Sequence, residues 1–307
     1  MEKSKDNNPR MFPKFWEAVE AIAKCCDKEK PILARSEVYN ETWMLRLMLA
    51  RIYDFDGDFE IVEPKKKALI MIRNAVRRNW ISEGGLSPAF EKEGTTWTDA
   101  ILGDVELREY DDGDGDKRKV GFKPKRGGDC NPCVVIVEAK MGSTLSRSVT
   151  NSADYDQAAR NIACLSKLFL GVPTQKVDGA FFVFMPKDSE DSKKTEEAQE
   201  LISKASDTII KQLKKRTAGT GKNKEKEILG RSYVKDIEGK DALFREIVEG
   251  IIKQGANDKP ISMVLTWDEI LTAMNNGEDY TSGIINDTQK LRIFYEESLK
   301  EISKQKE

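Results

Sequence analysis

Apolar residues recur at three- and four-residue spacing from Phe12 through Phe15, Trp16, Val19 and Ile22 to Cys26, and Pro13 suits a first turn, so the pattern predicts an opening helix. A second helix is expected from Ser36, a plausible cap, to about Tyr53, with Val38, Leu45, Met48 and Ile52 on one stripe and Glu41 in its middle. A third follows Pro64, turning Leu69, Ile72, Val76 and Trp80 inward and leaving Arg73, Arg77 and Arg78 outside. From Thr96 the period shortens: 99–102 and 105–108 read as extended segments separated by Gly103-Asp104. A glycine-rich polar excursion over 110–132 follows and reads as a hairpin tip or loop. The β-branched run Val134-Val135-Ile136-Val137 after Cys133 predicts a buried central strand ending in Glu138-Ala139-Lys140.

Beyond it the pattern predicts a helix over 153–170, a strand over 177–185, a charged helix over 195–216 and a flexible linker over 217–226. A helix over 241–254, a strand over 261–266, a short helix over 268–274 and an amphipathic helix over 288–304 complete the chain. Helices first, then short strands, then a strand–helix–strand passage imply a mixed α/β fold in one domain, with its core over about 36–275.

Composition narrows the chemistry. The 307 residues include five Trp, twelve Phe and seven Tyr, too apolar a set for a disordered polymer, and 51 basic residues against 53 acidic ones leave no global field toward nucleic acid or lipid. No stretch approaches the roughly 20 apolar residues of a membrane span, and the first residues lead into no signal core, so the expectation is a cytoplasmic protein with no membrane partner. There is no histidine, which excludes Ser-His-Asp and Cys-His catalysis and an imidazole base. The five cysteines, Cys25, Cys26, Cys130, Cys133 and Cys164, read as reduced thiols. A four-thiolate zinc site is disfavoured, because adjacent Cys25 and Cys26 suit tetrahedral geometry poorly. The Asp-rich stretch from Asp112 lacks the glycine of a calcium loop, since Lys117 stands in its place.

Glu138 and Lys140, two apart on a strand, project to one side. The bland reading is a strand-end salt bridge, and similar triplets occur at Glu63-Pro64-Lys65, Asp191-Ser192-Lys193 and Glu238-Gly239-Lys240. Only Glu138 follows four consecutive β-branched residues. Asp99, on a neighbouring extended segment, could join Glu138 in binding a hard cation through oxygen, while Lys140 stabilises charge developing on a phosphodiester. Asp104 follows the same apolar triplet and rivals Asp99. Glu41, centred on an apolar stripe, is costly to bury unless paired or bound to a cation.

Together these residues resemble the PD-(D/E)xK nuclease superfamily: Asn40-Glu41-Thr42-Trp43, Thr98-Asp99-Ala100-Ile101-Leu102, Glu138-Ala139-Lys140, then a helix bearing Gln157, over roughly 36–185. The resemblance implies a restriction-endonuclease-like core, a central mixed sheet flanked by helices, and Mg2+- or Mn2+-dependent hydrolysis of DNA or RNA. It implies Asp99, Glu138 and Glu41 at the metal, Lys140 at the attacking water and Gln157 beside them, and it leaves a homodimer open. Thr98 stands where the family has proline, and the 38 residues between Asp99 and Glu138 are longer than usual, a length that the 110–132 excursion accounts for. Nucleic-acid contacts are expected from Arg73, Arg77, Lys123, Lys125, Arg126 and Arg160, although charge runs are usually solvated faces. The alternative is an inactive member acting as a nucleic-acid or protein-binding module in a larger complex, such as one for phage defence.

Overall fold

A computed structural model describes residues 10–26, 34–90, 95–110, 119–125, 132–148, 155–170, 178–187, 192–217, 237, 240–253, 261–275 and 286–305. The linker expected over 217–226, all but its first residue, and most of the 110–132 excursion, with Arg126 and Cys130, lie outside these residues. Contacts divide the chain into two compact units, 1–60 with 270–307 and 61–269.

The first unit is helical: α1 (Met11–Cys26), α2 (Arg35–Val38), α3 (Glu41–Asp54) and a C-terminal helix, α9 (Asp287–Lys304). Asp54, at the end of α3, accepts from the backbone N–H groups of Met11 (2.8 Å) and Phe12 (2.7 Å), supplying the acceptors that the start of α1 needs. Where one helix was expected from Ser36 to about Tyr53, the structure has two. The break at Tyr39-Asn40 arises because the Asn40 side chain accepts from Trp43 N–H at 3.0 Å and caps a new helix. Glu41 is therefore the first residue of α3, half-buried, rather than the middle of a longer stripe. A carboxylate in a first turn has a local reason to be there, the positive end of the helix dipole.

The second unit holds α4 (Lys65–Arg78), β1 (Trp80–Leu86), β2 (Thr96–Gly103), β3 (Val105–Tyr110), β4 (Lys119–Pro124), β5 (Cys133–Ala139), α5 (Gln157–Phe169), β6 (Asp178–Met185), α6 (Ser192–Thr217), α7 (Asp241–Ile252) and β7 (Met263–Thr266). Helix α8 (Trp267–Ala273) begins in this unit. The five-stranded central sheet runs β1-β2-β5-β6-β7, antiparallel at β1-β2-β5 and parallel at β5-β6-β7, while β3 and β4 form a separate two-stranded ribbon. The fold is thus α/β, a mixed sheet flanked by helices.

Every residue of β5 is buried, as a strand covered on both faces requires. Val134 and Ile136 join Ile162, Leu165, Ile209 and Phe244 of α5, α6 and α7 in one cluster. The alternating Val135 and Val137 lie on the other side, and α4, whose Leu69 and Ile72 are buried, packs on β2 and β5. Each such side chain contributes about 1.5–3 kcal/mol relative to exposure.

Strand β1 was not expected, and Trp80 opens it instead of closing α4. Gly84 packs close against its neighbour: a Cβ on it would lie 2.6 Å from Ile101 Cδ1, so a side chain there would require Ile101 to shift. Gly103, at φ +101°, makes the sharp exit from β2, where a Cβ would come within 2.0 Å of the Cys133 carbonyl oxygen.

Candidate active site at the end of β5

By strand alternation Glu138 lies on the same face of β5 as Val134 and Ile136, the face covered by α5. Glu138 is 3% exposed, and its carboxylate accepts from Lys140 Nζ at 2.7 Å and from Gln157 Nε2 on the first turn of α5. Lys140 is itself buried, so this is a buried ion pair, and removing either partner alone strands a charge. The site binds the lysine through its backbone as well: its N–H donates to the Phe184 carbonyl at 2.7 Å, and its carbonyl accepts from the Trp267 indole at 3.1 Å. Trp267 is fully buried and packs edge-on to Phe184.

Gln157 is fixed at both ends of its amide. Its Oε1 accepts from Ser146 N–H at 3.2 Å while its Nε2 donates to Glu138, and its own N–H donates to the Ser146 carbonyl at 2.9 Å. Helix α5 starts at Gln157, not at 153, because Asp156 caps it by accepting from Ala159 N–H at 2.8 Å. Burial pushes the Asp156 carboxyl up despite that bond and others from backbone N–H groups.

Asp99 stands next to Glu138. Ala100 pairs with Val137, so the following position of the antiparallel ladder sets Asp99 beside Glu138, and Asp99 Oδ2 accepts from Ala139 N–H at 2.7 Å. Burial raises the Asp99 pKa; the Ala139 hydrogen bond and nearby Lys140 oppose that, and the charge of Glu83 adds to it. Glu83 lies in β1 at φ +58°, a left-handed conformation uncommon for a residue with a side chain.

Asp104 is at the other end of the sheet. It accepts from Cys133 N–H at 2.9 Å and pairs with Arg78, five residues from Glu138 along β5, or roughly 16 Å at 3.3 Å per residue. Glu41 belongs to the other compact unit, at the start of α3. The structure thus brings together Asp99, Glu138, Lys140 and Gln157. Sequence reasoning missed Glu83, which acts on Asp99 through its charge, and Ser146 and Trp267, which take part in main-chain bonds and leave no local pattern.

Two carboxylates side by side, one of them paired with a lysine, match the donor chemistry that Mg2+ takes, because this ion binds through one or two carboxylates and keeps several waters. Among the described residues no group of three or more His, Cys, Asp or Glu is placed to hold a metal ion. Cys133 starts β5, at the Asp104 end, and burial above all pushes its thiol up to about 12, which keeps it protonated. The thiols of Cys25 and Cys26 donate to carbonyls of their own helix, and Cys164 lies 3.4 Å from Thr96 Oγ1.

The basic residues are dispersed. Arg73 is half-buried and Arg77 exposed on α4, Arg160 is half-buried on α5, and Lys125 is exposed beside Asp104, whose carbonyl accepts its N–H. Lys123 is paired with Glu106 at 2.9 Å. Among the described residues no helix is long and apolar enough to cross a membrane. No family model matches this chain, and neither a curated protein nor a solved structure matches it.

Proposed function

We propose that this chain is a Mg2+-dependent nuclease of the restriction-endonuclease-like kind, hydrolysing phosphodiester bonds in nucleic acid, with DNA preferred and the cytoplasm as its compartment. The observation that carries this reading is the meeting of Asp99, Glu138, Lys140 and Gln157, from three elements, at one end of β5. The mixed sheet flanked by helices supports it as the scaffold that the resemblance implies.

Asp99 and Glu138 would hold the cation, which when bound supplies Lewis-acid stabilisation of charge on the phosphate and acidifies a water. Lys140 Nζ, 2.7 Å from Glu138, would orient the attacking water and balance negative charge as the phosphorus centre is attacked. Gln157 sets the rotamer of Glu138, and Trp267 and Phe184 hold the Lys140 backbone so that its amine enters the site from a fixed origin. Asp99 has to be ionised to bind a cation, so its raised pKa makes metal affinity increase as pH rises through that value. Glu41, the third ligand that the resemblance suggests, is tested separately by Glu41→Gln.

Purified protein with Mg2+ or Mn2+ should cleave DNA, or failing that RNA. Glu138→Gln and Lys140→Met should each lower the rate by about 10²–10⁴-fold with the circular dichroism spectrum preserved. Cleavage unchanged by both substitutions would refute the assignment, and metal-independent binding without cleavage would indicate an inactive binding module.

A further inference from the structure

We propose that Trp97 is a stacking platform for an unpaired nucleobase adjoining the scissile phosphate, so that the substrate is single-stranded or locally unpaired nucleic acid; this rests on the nuclease reading. On β2 the alternate residues Thr96, Thr98 and Ala100 are buried, whereas Trp97 is 68% exposed. It precedes Asp99 by two positions, which in an extended strand places both side chains on one side, about 7 Å apart along the chain. On the nuclease reading, a phosphate held through a cation at Asp99 and Glu138 would bring its attached nucleoside within reach of the indole.

The residue directly across the ladder from Trp97 is Gly85, where even a Cβ would lie 3.6 Å from the indole ring. The neighbouring strand thus places no side chain over the ring there. An exposed indole offers a flat π-face on which any base can stack, but in an intact duplex both faces of a base are already covered by its neighbours, so the partner has to be unpaired.

The charge distribution points the same way. The chain carries a formal net charge of −2, and several cations of this unit are paired with acids: Arg78 with Asp104, Lys123 with Glu106 and Arg147 with Glu197. Stacking on Trp97 would then carry a larger share of the binding than it does on a strongly basic protein.

The test uses the full-length chain in EDTA, which blocks cleavage, with anisotropy of a labelled single-stranded oligonucleotide and of its duplex. Trp97→Ala should weaken single-strand binding by about 5- to 150-fold, the equivalent of one stacked base. Trp97→Phe should recover most of it, and duplex binding should change little. Single-strand affinity unaltered in Trp97→Ala, an equal loss for both forms, or loss of self-association as the only change would overturn the proposal and leave the nuclease assignment standing. No binding of either form by the unaltered protein in EDTA would overturn the stacking proposal alone, because the nuclease reading needs its cation to hold the phosphate.

Discussion

Asp99 is held between opposed influences. Burial favours its neutral form, while the Ala139 N–H and Lys140 favour the anion. Because the net shift is upward, the folded chain binds this proton more tightly than the unfolded chain. Its contribution to stability is present below the ordinary value of 3.8 and is lost as pH rises through the folded value. In EDTA, Asp99→Asn should therefore raise the melting temperature near neutral pH, since an amide oxygen can still accept from Ala139. The difference should vanish in acid below the ordinary value, and an Asn variant that melts lower near neutral pH would contradict this account. The same residues show what a linear sequence can reveal. Glu138 and Lys140 were legible because two side chains two apart on a β-branched strand must share a face. Asp99 was legible only as one of two candidates, and pairing register separates them. Trp267 is 127 positions from the Lys140 carbonyl that its indole holds, and a bond to a main-chain oxygen leaves no mark on the type of the residue that accepts it.

At the scale of elements, helices with long apolar stripes were readable and their ends were not. Asn40 and Asp156 set the starts of α3 and α5, each through one side-chain bond to a backbone N–H. Asp156→Ala should cost about 1 kcal/mol and lower the melting temperature, while Asp156→Asn should cost much less, because asparagine caps about as well. Strand β1 was invisible because Gly84 and Gly85 look like a turn, whereas Gly84 in fact packs close against Ile101 within the sheet. Gly103→Ala should be the costlier change, at least about 1–3 kcal/mol in chemical denaturation, since both the positive φ and the Cys133 carbonyl oppose a methyl group. A Gly103→Ala protein as stable as the parent would mean that β2 leaves the sheet differently.

For the molecule as a whole, the mixed α/β class followed from the order of patterned segments, but the grouping of 1–60 with 270–307 did not, because it depends on contacts between chain ends that periodicity does not encode. On the proposed reading, a divalent cation binds the folded unit and not the unfolded chain. Mg2+ at about one hundred times its dissociation constant should then stabilise that unit by about 2.7 kcal/mol in calorimetry. Glu138→Gln, compared with and without the ion, should lose most of that increment. On the same reading, the choice of ion would rest on Gln157, whose amide grips Ser146 at one end and Glu138 at the other. A carboxylate clamped in this way has little freedom to swing toward a large, accommodating guest such as Ca2+, whose shell tolerates many arrangements. It would suit a small ion such as Mg2+, and the helix that follows the motif would act as the protein's gauge of ionic size.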